Sequence, residues 1–121
     1  MATFNQWTGI GHVGKLTDVS LKVTPEGKPY YRFSLAVDQG KDAEPMWLNI
    51  ICWQDLAERA DQLLFTGAQI FVQGRLQLRK YKDKQKIERI AVEIVAVTLQ
   101  LLDKKRPKEG DTLPDEVLPE A

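Results

Sequence analysis

Apolar and polar residues alternate with a period of two over most of this 121-residue chain, and a strand with one buried face is what such alternation specifies. In YYRFSLAVD, residues 30–38, Tyr31, Phe33, Leu35 and Val37 share one face, while Arg32, Ser34 and Ala36 share the other. In MWLNIICW, residues 46–53, Met46, Leu48, Ile50 and Cys52 oppose Trp47, Asn49, Ile51 and Trp53. In QIFVQGRLQLRKY, residues 69–81, Ile70, Val72, Leu76 and Leu78 oppose Phe71, Gln73, Arg75, Gln77, Arg79 and Tyr81. Residues 87–102, IERIAVEIVAVTLQLL, are rich in Ile and Val and predict a final long strand. The opening stretch 3–23 alternates less cleanly, and Gly9, Gly11 and Gly14 predict a bent or bulged strand there.

One segment follows a different period. In QDLAERADQLLFTG, residues 54–67, Leu56, Ala60, Leu63 and Leu64 recur at helical spacing, and Gly67 stands where a helix would stop. Turns are marked by Pro25-Glu26-Gly27 and by the polar stretches 38–45 and 82–86. The order is three strands, a short helix, then two strands. That is an all-β chain with the five-stranded OB-fold barrel arrangement, its one helix between strands 3 and 4. From residue 103 the sequence DKKRPKEGDTLPDEVLPEA has three prolines, many charges and no period. Residues 1–102 therefore read as one domain and 103–121 as a flexible, acidic-ended tail.

Several function classes fall away on residue inventory. The single cysteine, Cys52, allows neither an intrachain disulfide nor a cysteine-rich zinc site, and the single histidine, His12, leaves no His–His metal pair. Cys52 shares the apolar parity of its strand, as a buried inert thiol does. Asp55, Glu58 and Asp61 lie at helical spacing, which describes a solvated face rather than a calcium loop. Gly9-Ile10-Gly11-His12-Val13-Gly14 matches G-x-G-x-x-G, but the dinucleotide motif needs a strand before it and a helix after it. Only eight residues precede this one and strand-like KLTDVSLKV follows, so the glycines read as relief for a bent strand. No enzyme activity, metal or cofactor is expected. The N-terminal MATFNQWTGIG has no basic, apolar leader character, and no apolar run approaches the roughly 18 residues of a membrane span. A soluble intracellular protein is expected.

The aromatic and basic residues say more. Trp47 and Trp53 share a strand face, as do Arg75, Arg79 and Tyr81 on the next strand. From 75 to 89, RLQLRKYKDKQKIER holds seven bases against two acids, a local charge of +5. Flat rings stack on unpaired bases while cations track the phosphates of a flexible strand. Spacing leaves a second reading open, in which both tryptophans are barrel core and the lysines an exposed hairpin. Trp7 could face a ligand, a subunit partner or the core.

These pieces, in order, resemble the bacterial single-stranded DNA-binding protein family. The likeness runs from Asn5 to Leu102. It is carried by the first strand with Gly11 through Gly14, by FSLAVD at 33–38, by the tryptophan-bearing strand 46–53 and by WQDLAE at 53–58. LLFTGAQ at 63–69, VQGRLQLRKY at 72–81 and EIVAVTLQLL at 93–102 complete it. The resemblance implies a homotetrameric OB-fold protein that coats single-stranded DNA in replication, recombination and repair, in the bacterial cytoplasm and associated with the nucleoid. It implies base stacking on Trp47, Trp53 and Tyr81. It also implies phosphate contacts from Arg75, Arg79 and Lys80, which the basic run extends to Lys82 and Lys84.

The chain departs from the family in three places. DQGKDAEP lacks a tryptophan that relatives often carry after the second strand, and Gln6, Asn49, Asp55 and Thr66 stand near positions where a cation is common. These changes imply weaker, more salt-sensitive binding, and motivate an alternative reading as an assembly module; a stacking platform would also accept single-stranded RNA. The end, PDEVLPEA, keeps acidic charge without the family's terminal phenylalanine, so docking of replication and repair proteins through the tail is not expected. Seventeen basic and seventeen acidic residues give a net charge of zero. That zero is a cancellation, because residues 109–121 hold five acids and no bases.

Overall fold

The computed structural model describes residues 3–103. Its elements are β1 (Trp7–Val13), β2 (Lys22–Val23), β3 (Pro29–Val37), β4 (Met46–Trp53), α1 (Asp55–Leu63), β5 (Gln69–Lys82) and β6 (Glu88–Leu101). The five long strands and the single helix are those predicted. The opening stretch differs: it holds the seven-residue β1 and, after a break, the two-residue β2, paired to β3 through Lys22–Tyr30 and Val23–Pro29. The sheet order is β1-β5-β6-β4-β3-β2, and an added pairing of β1 with β3 closes the five long strands into a ring. All pairings are antiparallel except β4 with β6, which runs parallel over Asn49–Glu93 to Ile51–Val95. This is the OB-fold barrel. Among the described residues no helix is long and apolar enough to cross a membrane.

Strand parity decides what fills the barrel. Tyr31, Phe33 and Leu35 of β3, Ile50 and Cys52 of β4, Ile70 and Val72 of β5, and Ile94 and Leu99 of β6 are buried together. Burying a side chain of this size contributes about 1.5–3 kcal/mol each. Helix α1 lays Ala57 and Ala60 against that core, small residues that let its backbone come close to the strands. It ends sooner than Gly67 suggested. Leu64 turns extended (φ −82°, ψ 148°) and is fully buried in the core. Gly67, at φ 87°, then makes the turn into β5 and donates its N–H to the Val13 carbonyl at 2.8 Å. Burial pushes the Cys52 thiol up to about 12.

The three glycines of the N-terminal motif, expected to relieve a bent strand, sit where neighbouring groups leave no room for a side chain. A β-carbon would meet the Trp7 ring at Gly9, the Ala36 backbone at Gly11, and Ser34 with the Trp47 ring at Gly14. Trp7 therefore lies over Gly9 and packs, partly buried, against the core. One side of the ring thus meets the core while the rest of it stays exposed.

One irregularity controls the last strand. Gln73 pairs with Thr98 but Gly74 pairs with Ala96, so Val97 is an extra residue with no partner in β5. Beyond this bulge the inward parity of β6 changes from odd (Leu99) to even (Ala96, Ile94), and Glu93 and Val95 move to the outer face. Gly74 permits the close crossing, because a β-carbon there would run into the Val95 carbonyl. Gly74→Ala is expected to destabilise the fold by about 2 kcal/mol, as overpacking against backbone does, read as a lowered urea midpoint with an unchanged slope.

Candidate nucleic-acid interface

Opposite the core, the outer sides of β3, β4, β6 and β5 form one continuous surface, because register places Ser34, Asn49, Glu93 and Gln77 in a single row across four strands. Of the residues singled out from sequence, Trp47, Trp53, Arg75, Arg79 and Tyr81 all belong to this surface. Trp47 lies beside Gly14 and is 60% exposed. Trp53 is half-buried and Tyr81 exposed. Lys80 and Lys82 have the opposite parity on β5, alongside Leu76 and Leu78, and Lys84 lies in the turn between β5 and β6. The basic run thus divides between two faces of the β5–β6 arm. Arg89 is bound to Asp83 at 2.9 Å. Asp83 also accepts the Ile87 and Gln85 N–H groups, and these bonds together hold its carboxyl below the usual carboxylate range. His12, exposed near the end of β1, pairs with Ala36 and Gln69. Among the described residues no three His, Cys, Asp or Glu side chains group as metal ligands.

Three functional candidates were not singled out in the sequence. The Tyr30 ring lies 5.4 Å from Trp53 at a tilt of 41°, within the range of favourable aromatic pairs. The Arg32 guanidinium lies 5.2 Å over Tyr30, and that of Arg79 5.2 Å over Tyr81, both at cation–π distance. Between the two arginines sits Glu93, only 2% exposed. Its Oε2 accepts from the Nε of Arg32 and of Arg79, each at 3.2 Å, and its Oε1 accepts from Gln77 Nε2 at 3.2 Å. A chain of contacts therefore crosses the whole surface: Trp53, Tyr30, Arg32, Glu93, Arg79, Tyr81. Tyr30 and Arg32 carried a signal in their shared polar parity on β3. Glu93 carried none, since the bulge that turns it outward leaves no mark in the Ile/Val-rich strand.

Energetically the centre of this chain is Glu93. Burial pushes its carboxyl up, but the hydrogen bonds from Arg79 and Gln77 and the charges of Arg32 and Arg79 outweigh burial and hold it below the ordinary glutamate value. A carboxylate lowered on folding stabilises the fold above its unfolded pKa, and that contribution disappears as pH falls through the folded value. Wild type is expected to be more stable than Glu93→Gln by about 1–3 kcal/mol at neutral pH. The gap should narrow as thermal melts are repeated from about pH 7 down to about pH 3.

With rings, guanidinium groups and an open sheet on one surface, the fold presents what a single-stranded nucleic acid needs. Residues 4–102 match the Single-strand binding protein family. Proteins named single-stranded DNA-binding protein are similar to the chain. That of Neisseria meningitidis is 34% identical over 108 residues, covering 84% of this chain and 61% of that protein. One from Xylella fastidiosa is 31% identical over 129 residues, covering 94% and 93%. One from Streptococcus agalactiae is 33% identical over 104 residues, covering 81% of this chain and 64% of that protein. The chain thus spans less than two thirds of the length of the Neisseria and Streptococcus relatives. Among solved structures, an SSB complex with ssDNA from Plasmodium falciparum superposes with a TM-score of 0.72 at 25% identity, covering 85% of this chain and 98% of that one. Fold, profile and relatives agree, and the chain belongs to the single-strand binding protein family.

Proposed function

We propose that the chain binds and protects single-stranded DNA with little sequence preference during replication, recombination and repair, without catalysing a reaction. The observation that carries this reading is one outer sheet surface that holds Trp47, Trp53 and Tyr81 together with Arg75 and Arg79. Trp47, Trp53 and Tyr81 stack bases, each worth about 1–3 kcal/mol. Arg75, Arg79, Lys80, Lys82 and Lys84 hold phosphates, the lysines from the far face and turn of the β5–β6 arm. Residues 1–102 are the binding domain and 103–121 its tail, of which all but Asp103 lie outside the described residues. The named relatives and the ssDNA-bound neighbour support the ligand. In the cell the protein would be cytoplasmic and nucleoid-associated.

We further propose a homotetramer, as in the family. Its support is apolar surface that a lone barrel leaves in water: Leu76, Leu78, Ile90 and Val92, which share one face of the β5–β6 arm. Contiguous exposed apolar residues of this kind mark association surfaces.

Titrating the chain with oligo-dT at low salt is expected to quench tryptophan fluorescence, with affinity falling as salt rises; absence of quenching at low salt overturns the reading. Trp53→Ala should weaken binding by roughly tenfold or more, beyond any single lysine substitution. In the same preparation, light scattering should give four times the chain mass, and Leu78→Glu should lower it.

A further inference from the structure

The clamp on Glu93 has a consequence for the ligand, one that rests on the single-stranded DNA reading above. Glu93 is 2% exposed, whereas the side chains of Arg32 and Arg79 are 41% and 40% exposed. Both arginines turn their Nε edge to the same carboxylate oxygen, and Arg79 adds one terminal nitrogen, also at 3.2 Å. Both terminal nitrogens of Arg32 and one of Arg79 stay outside the pair. A guanidinium is a planar fork with donors on more than one edge, so it can bind a carboxylate with one edge and a phosphate with another. An arginine that swung away to meet a phosphate would leave a buried carboxylate poorly paired, which is strongly unfavourable. The arginines are therefore held in place, and a phosphate must come to them.

Their position gives the subsite meaning. Arg32 also lies over Tyr30, which packs on Trp53, and Arg79 lies over Tyr81. A strand whose bases stack at both aromatic ends must carry its backbone across the arginine pair. We infer that Arg32 and Arg79, held by the buried Glu93 carboxylate, form a phosphate subsite that fixes where a stacked single strand crosses the sheet. Arg32 is a direct ligand of the phosphate, and Glu93 is a positioning residue that acts through the two arginines. Charge by itself predicts the reverse for Glu93, since removing a negative group beneath a polyanion should tighten binding.

The test is an oligo-dT fluorescence titration of the full chain between about 50 and 200 mM salt. Glu93→Gln keeps the shape and is expected to weaken binding by roughly threefold to tenfold at fixed salt, the size of one lost hydrogen-bond geometry. In a chain already carrying Arg32→Gln and Arg79→Gln, adding Glu93→Gln should cause no further loss, which a merely structural role would not produce. Arg32→Gln should reduce the slope of log affinity against log salt by about 0.7, the single-strand value for one phosphate. Arg32→Lys should recover little of the lost affinity, because a compact ammonium on a flexible stem lacks the planar fork whose separate edges fix carboxylate and phosphate in one geometry. If melting curves show that Glu93→Gln does not fold, the two Arg32 variants decide the matter. Equal or tighter binding by folded Glu93→Gln, a further loss in the arginine-free background, or full rescue by Arg32→Lys overturns the inference while the function stands. A wild type that never quenches overturns both.

Discussion

The surface of this protein depends on one extra residue in its last strand. Val97 has no partner in β5, and the frame shift it introduces lets Leu99 and Ile94 both point into the barrel although their separation is odd. Without the shift, the parity of Leu99 would continue to Val95 and Glu93 and carry a carboxylate into the apolar core, where an unpaired charge is not tolerated. With it, Glu93 lands on the outer face in register with Asn49 on one side and Gln77 on the other. The bulge thus serves packing and surface chemistry at once, as such irregularities in barrels commonly do. Gly74 is its counterpart in β5, the position where the crossing backbones leave no room for a side chain.

From Glu93 outward, order spreads through contacts that are individually small. A carboxylate fixes two guanidinium groups, each guanidinium lies over a tyrosine, and one tyrosine packs on a tryptophan. Cation–π and aromatic contacts at partly exposed sites contribute about 0.5–1.5 kcal/mol each. Their effect is cumulative restriction: long side chains that would otherwise sample many rotamers are held over the sheet. Less entropy is then lost when a flexible polymer is captured. The chain's neutrality is compatible with such a surface, because ions act over about a Debye length rather than over the whole molecule. Acids gathered in residues 109–121 offset bases concentrated at 75–89 without lying among them in sequence.

The sequence made the barrel legible where burial is one-sided. In β3 and the first half of β5 a two-residue period separates core from surface, and those faces are the observed ones; β4 keeps the parity but buries Ile51 on its outer side and exposes Met46 at its start. Trp47, Trp53, Arg75, Arg79 and Tyr81 could be assigned to one surface for the same reason. Legibility failed where a regular period was assumed or absent. A charge count along 75–89 treats Lys80 and Lys82 as neighbours of Arg79, but the pleat turns them to the other face. The Ile/Val-rich β6 gives no alternation from which to read a frame shift. Glu93 becomes visible only through its partners, one of which, Arg32, lies 61 residues away in sequence. Within α1, the spacing of Leu56, Ala60 and Leu63 identified the helix, while Ala57, which that spacing passed over, is buried with Ala60 because its small size lets the helix come close.

Cys52 sits across from Tyr31 in the middle of the barrel, fully enclosed, with its thiol raised to about 12. At neutral pH almost none of it is thiolate, the form that reacts with alkylating reagents. In the folded state the native chain is therefore close to silent in thiol chemistry. A second cysteine introduced on the exposed turn at Lys84, or beside the aromatic surface, would take up a fluorophore or spin label selectively with no prior substitution of Cys52. The chain is in that sense already prepared for distance measurements along a bound polymer.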